Sequence, residues 1–130
     1  MNTILIIDDS VERQTEFQKK FLDNPVISAY TSKQAISCIN LNNPEVIFLD
    51  GDLGDNDCGT HVARFLANHE HDYKIECVII HSVNIAKAKE MHNLLEFGNI
   101  PNIIIPYTVL WKEPHYLTLI KHGIIYNPAI

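Results

Sequence analysis

The sequence predicts an α/β fold, a doubly wound five-stranded parallel sheet in the order 2-1-3-4-5, on three observations. Short β-branched runs alternate with longer amphipathic stretches, which is the pattern of a parallel sheet covered by helices on both faces. The first run, TILII at Thr3 to Ile7, is nearly all apolar, as a central strand buried on both sides requires. Five such β-α units occur in succession along 130 residues, and right-handed crossovers leave few other ways to wind them.

The elements follow in order. After Thr3 to Ile7, Ser10 is placed to cap a helix running to about Asp23, with Phe17 and Phe21 on one face. Val26 to Tyr30 is a weaker second strand. Thr31 or Ser32 caps the second helix, which presents Ile36 and Ile39 and is ended by Asn42, Asn43 and Pro44. Val46 to Leu49 is the third strand. Gly51, Gly54 and Gly59 mark a loop, after which Val62, Phe65, Leu66 and His69 recur at helical spacing. Cys77 to Ile80 is the fourth strand. Ala88, Met91 and Leu95 form the inner face of a fourth helix that Gly98 and Pro101 terminate, and Ile103 to Ile105 is the fifth strand. Beyond it, Pro114 breaks or restarts a helix, and Leu117, Ile120 and Lys121 belong to a short final helix before a tail from Tyr126 to Ile130. With no repeat or linker, residues 1–130 read as one domain of the flavodoxin-like type.

Composition narrows the function. A formal charge of -6 argues against a broad grip on DNA or RNA, which rests on clustered Lys and Arg, although an RNA end remains an admissible substrate. No apolar stretch approaches the roughly 20 residues that cross a bilayer, and the N-terminus has no signal-peptide pattern. Cys38, Cys58 and Cys77 lack CxxC spacing, so neither a disulfide framework nor a cysteine zinc site is indicated, and a reducing cytoplasm is the expected location.

In a doubly wound sheet, ligands bind at the carboxyl ends of the strands near the switch point. That places Asp8 and Asp9 after the first strand, Asp50 and Asp52 after the third, His81, Ser82 and Asn84 after the fourth, and Pro106 and Tyr107 after the fifth at one edge. Four carboxylates arriving from adjacent strand ends repel one another, so some are protonated or a cation sits among them. An oxygen-rich acidic site suits Mg²⁺, bound through one or two carboxylates with water and a substrate phosphate. Asp55 and Asp57 read more simply as solvated loop acids. A calcium loop is excluded, because the stretch from Asp50 has no glycine at its sixth position and has His61 at its twelfth. His81 could serve as a general acid or base, since imidazole titrates near neutrality. Ser82 could donate to a phosphate oxygen, and Asn84 could do the same or simply cap the fourth helix. The remaining histidines show no HExxH or comparable ligand pattern.

These residues resemble response-regulator receiver domains: ILIIDD at residues 4–9, VIFLD at 46–50 and IPYT at 105–108, spread over nearly the whole chain. The resemblance implies that Asp8, Asp9 and Asp50 hold Mg²⁺, that Asp50 is the residue taking up phosphate, and that Ser82 matches the Ser or Thr ending strand four. A receiver has a lysine before the proline after strand five, where this chain has Ile105. A closer likeness is to the cyclic-phosphate-processing receiver-like branch, with DD at 8–9, DGDLG at 50–54 followed by GT at 59–60, and HSVN at 81–84. Gly51 stands where that branch would place a histidine.

The likeness implies a metal-assisted phosphoesterase, using Mg²⁺ or Mn²⁺, that opens cyclic phosphate ends, in the context of RNA repair. Asp8, Asp9 and Asp50 would hold the metal, and Asp52 would orient metal or water. His81 would move a proton, and Ser82 and Asn84 would bind phosphate. The substrate would be a phosphate-containing small molecule or an RNA end. The alternative is a signalling module with a protein partner: an atypical receiver phosphorylated on Asp50, or a non-catalytic pseudo-receiver.

Overall fold

A computed structural model describes residues 2–21, 23–112 and 115. Five strands, β1 (Ile4–Ile7), β2 (Val26–Ala29), β3 (Val46–Leu49), β4 (Cys77–Ile80) and β5 (Asn102–Ile104), form one parallel sheet in the order β2-β1-β3-β4-β5. Four helices connect them: α1 (Val11–Lys20), α2 (Ser32–Asn42), α3 (Thr60–Asn68) and α4 (Ile85–Phe97). A turn of 3₁₀ helix, Tyr107–Val109, follows β5. The predicted fold class and strand order are both observed.

The sheet is buried on both faces, and the period-2 alternation of strand side chains divides its core in two. Leu5, Ile7, Ile47, Leu49, Val78 and Ile80 point to one side, where they pack with Ile39 of α2, Leu66 of α3 and Met91 of α4. Ile4, Ile6, Val46, Phe48, Cys77 and Ile79 point to the other, where they meet Phe17 of α1. Phe17 is fully buried and its ring lies 5.0 Å from that of Phe48, 5.2 Å from His81 and 5.3 Å from Trp111, centroid to centroid. In-register pairing of β1 with β3, Ile7 opposite Leu49, brings the two strand ends level, so Asp8 and Asp50 emerge side by side. The Asp50 N–H donates to the Ile7 carbonyl at 3.0 Å, extending the ladder by one bond and fixing that alignment.

Helix starts agree with the capping chemistry. Ser10, Thr31 and Asn84 each accept a backbone N–H three residues on, satisfying donors that the first helical turn leaves without partners. Thr31, not Ser32, caps α2, because Ser32 already lies inside the helix and binds Asp57 instead. Helix α1 ends at Lys20 rather than near Asp23, since Phe21 turns to extended backbone and its ring packs back onto Phe17 and Phe48. The two edge strands are each shifted or shorter by one residue than expected: Tyr30 leaves β2, and β5 runs from Asn102 to Ile104. The expected break at Pro114 and the final helix through Leu117, Ile120 and Lys121 lie outside the described residues.

Candidate functional site

The carboxyl ends of β1, β3 and β4 and the turn after β5 enclose a cleft of about 440 Å³ lined by Asp9, Arg13, Asp50, Asp52, His81, Val83, Tyr107 and Thr108. Its floor is polar and buried: Asp8, Asp50 and His81 are at most 7% exposed. One potential ligand atom from each of these three lies within 4.8 Å of the other two.

Asp8 is the organising group. Its Oδ1 accepts the Ser10 N–H at 2.9 Å and Arg13 Nη2 at 2.9 Å, and its Oδ2 accepts Arg13 Nε at 2.8 Å and His81 Nε2 at 2.9 Å. Burial pushes this carboxyl upward, but the hydrogen bonds from His81 and Arg13 outweigh that and hold it below the ordinary carboxylate range. An ionised Asp8 can only accept, so His81 must carry its proton on Nε2. The other ring nitrogen, Nδ1, is buried without a hydrogen-bond partner among the described residues. A buried polar atom left in that state is uncommon in folded proteins.

Asp50 is in the opposite condition. Burial raises its carboxyl above the usual range, and the neighbouring Asp8 adds to the rise against the pull of His81 and Arg13. Its Oδ1 accepts the Gly51 N–H at 2.8 Å, while Oδ2 lies 3.2 Å from Arg13 Nη2. Asp9 is more open, with its nearest cationic atom, Arg13 Nη2, at 3.7 Å. Asp52 sits on the rim, where Lys87 Nζ approaches its Oδ1 to 2.5 Å.

The remaining predicted site residues are more structural in their observed contacts. Asn84 Oδ1 accepts the Lys87 N–H at 3.1 Å, which is the capping role. Ser82 is buried and its Oγ accepts the Asn84 N–H at 3.1 Å, leaving the hydroxyl proton to donate elsewhere. Ile105 is fully buried in the apolar layer with Ile4, Ile6 and Phe17, so no ammonium reaches the acids from strand five. At Gly51 an added Cβ would stand 2.7 Å from Ser82 Oγ and 3.1 Å from Lys87 Cβ, so these neighbours occupy the space a side chain would need. Asp57 is not a free loop acid: its carboxylate takes the Ser32 hydroxyl at 2.6 Å and the Ser32 N–H at 2.8 Å, tying the β3–α3 loop to the start of α2.

Two cations here escaped the sequence reading. Arg13 lies four residues after Asp9, one helical turn, and Lys87 lies three after the α4 cap, so both spacings pointed back at the strand ends. Only the packing of α1 and α4 shows that they face the acids.

The sequence profile described as "Cyclic-phosphate processing Receiver domain" matches residues 3–97. The chain belongs to that family. Among solved structures, this receiver resembles the signal receiver domain of a putative LuxO repressor protein from Vibrio parahaemolyticus, with a TM-score of 0.66, 21% identity, and coverage of 93% of this chain and 88% of that one. It also resembles the receiver domain of an HD domain-containing protein from Pseudomonas fluorescens Pf-5, with a TM-score of 0.68, 12% identity and coverage of 92% and 91%. A third is a CheY-like receiver from Methanospirillum hungatei JF-1, with a TM-score of 0.63, 18% identity and coverage of 95% and 93%. At these identities the likeness establishes the receiver fold. No curated protein sequence matches the chain. Among the described residues, no helix is long and apolar enough to cross a membrane.

The donor set of this cyclic-phosphate processing receiver fits an oxygen-preferring divalent cation on its open side. Asp9 has accessible oxygens, and Asp50, whose carboxyl is raised first by burial and then by the neighbouring Asp8, lines the same cleft. Asp8 is already engaged by four N–H groups, so it would join such an ion only by exchanging one of them.

Proposed function

We propose that this receiver is a metal-assisted phosphoesterase that opens cyclic phosphate ends, on a small molecule or an RNA terminus. The observation that supports this reading best is the Asp8–His81 pair at the floor of an acidic cleft: a buried carboxylate orients an imidazole by one nitrogen and leaves the other without a partner among the described residues. That is the base-and-orienter arrangement used to move protons in general acid–base catalysis.

In this reading Asp8, Asp9 and Asp50 would hold Mg²⁺ or Mn²⁺, which would supply charge stabilisation at phosphate oxygens. Asp50 projects from the β3 end toward the same space, and Asp52 on the rim orients water with Lys87 beside it. His81 accepts or returns the proton. Ser82 would turn its hydroxyl proton to a phosphate oxygen, while Asn84 contributes by holding the start of α4 in place. A cytoplasmic setting and an RNA-end substrate belong to the same proposal.

The direct test is turnover of 2′,3′-cyclic nucleotides and short RNAs with cyclic ends, in Mg²⁺ or Mn²⁺. Opening of the ring by wild type, and its loss in Asp50→Asn, is the expected result. An intact ring under all conditions removes the catalytic reading. The second reading, a receiver phosphorylated on Asp50, draws on the position of that residue at the end of β3. It is weakened by Ile105, which offers no positive charge to an acyl phosphate. Rapid labelling of Asp50 by a small phosphodonor, seen by intact mass, would favour it.

Metal binding makes a separate prediction. A ligand that binds only the native state stabilises it by about 2.7 kcal/mol at a hundredfold excess over its Kd. Millimolar Mg²⁺ should therefore raise the melting temperature of wild type by several degrees, and the rise should shrink in Asp50→Asn. An equal rise in both proteins would show that the ion binds elsewhere.

A further inference from the structure

We propose that Arg13 is the phosphate anchor of this cleft, supplying from helix α1 the positive charge that strand five does not provide. The inference rests on the phosphate-processing reading above and assigns a residue to the anion itself.

The guanidinium is held rather than loose. Nε and Nη2 form a two-point fork onto Asp8, and Nη2 also reaches Asp50 at 3.2 Å. Asp8 is in turn fixed by the Ser10 N–H and by His81. Planar bidentate pairing of this kind sets the orientation of the group as well as its position. On the other side the plane lies over the Tyr107 ring, 5.9 Å from the guanidinium carbon to the ring centroid. This leaves Nη1, with two N–H donors, engaged by no acceptor among the described residues. Arg13 lines the cleft, and its side chain remains 37% exposed. A guanidinium fastened at one edge to a carboxylate, with Nη1 unengaged among the described residues on a side chain that lines the cleft, has donors left for phosphate oxygens.

The other cation near these acids is Lys87, which is not among the residues lining the cleft and whose ammonium is paired with Asp52 on the rim. Arg13 is paired too, with Asp8 and Asp50, but it lines the cleft and its Nη1 has no acceptor among the described residues.

The test uses inorganic phosphate as the probe, titrated by calorimetry into the full chain with millimolar Mg²⁺ in every sample. Arg13→Gln should weaken phosphate binding about 10- to 100-fold, the loss expected when charge-assisted hydrogen bonds disappear. Arg13→Lys restores charge without the fork and should recover only part of that loss. Lys87→Gln should change the affinity less than threefold. The sign is informative, because removing Arg13 frees carboxylate oxygens for Mg²⁺. If phosphate is held by the metal alone, Arg13→Gln will bind phosphate as well as wild type or better, and the proposal is overturned. A loss carried by Lys87→Gln and not by Arg13→Gln overturns it too, as does a wild type that binds no phosphate. Should Arg13→Gln fail to fold, the Arg13 side-chain ¹⁵N resonances of wild type decide: they shift on phosphate addition if the guanidinium is the anchor and stay fixed if it is not. Turnover, measured separately, distinguishes the anchor from the catalysis. Arg13-dependent phosphate binding in a protein that opens no cyclic phosphate preserves the anchor and removes the catalysis, while unimpaired turnover by Arg13→Gln at an unchanged KM overturns the anchor and preserves the catalysis.

Discussion

Replacing His81 by Gln should lower the rate of cyclic-phosphate opening by about 10² to 10⁴-fold, the usual contribution of a positioned general acid or base. The substitution is discriminating because Gln keeps an N–H that can donate to Asp8, as Nε2 does now at 2.9 Å. It removes the imidazole, the side chain suited to general acid–base work. The Asp8 carboxylate therefore stays hydrogen-bonded, Arg13 keeps its fork, and the Mg²⁺-induced rise in melting temperature should persist. Single-turnover rates measured beside melting curves separate the two functions. A variant as fast as wild type would reduce His81 to a buried strand-end residue, held against Phe17 and Tyr107 for packing alone.

Phe17→Ala should destabilise the fold by about 3 to 5 kcal/mol, the range for emptying a large buried aromatic site. Phe17 is fully buried, and its ring contacts those of Phe21, Phe48, His81, Tyr107 and Trp111. Those rings come from α1, β3, the β4 end and the turn after β5, so no single neighbour can relax to fill the space. Chemical denaturation should show the loss as a lower midpoint. Because the ring also supports the edge of His81, turnover under conditions where the variant is folded should fall as well. A loss below about 1 kcal/mol would mean that the aromatic cluster collapses onto the cavity, contrary to close packing of the core.

Much of the site could be read in the chain. The positions of Asp8, Asp9, Asp50 and His81 follow from hydrophobic runs that end in acids or a histidine, because a parallel sheet collects its strand ends on one side. The capping residues Ser10 and Asn84 were legible for a similar reason: a cap acts within three residues of itself, so its chemistry is local. Asp57 was misread as a solvated acid since its partner, Ser32, lies in a different β-α unit and no local pattern joins them. Arg13 was legible only as a helix residue of α1. Its fork to Asp8 spans five residues and its contact with Asp50 spans thirty-seven, and the second depends on the in-register pairing of β1 with β3.

The sequence by itself determined the fold class, the strand order and which strand ends bear acids, because hydrophobic periodicity and crossover handedness act along the chain or between adjacent units. Only the tertiary structure decided how charge is shared among those acids. Asp8 lies below the ordinary carboxylate range and Asp50 above it, although both are buried aspartates one residue past a strand. The difference arises from donors: four N–H groups converge on Asp8, while Asp50 receives the Gly51 N–H and one edge of Arg13. Burial penalises both charges, and the number and direction of hydrogen bonds reaching across the fold determine which carboxyl is lowered and which is raised.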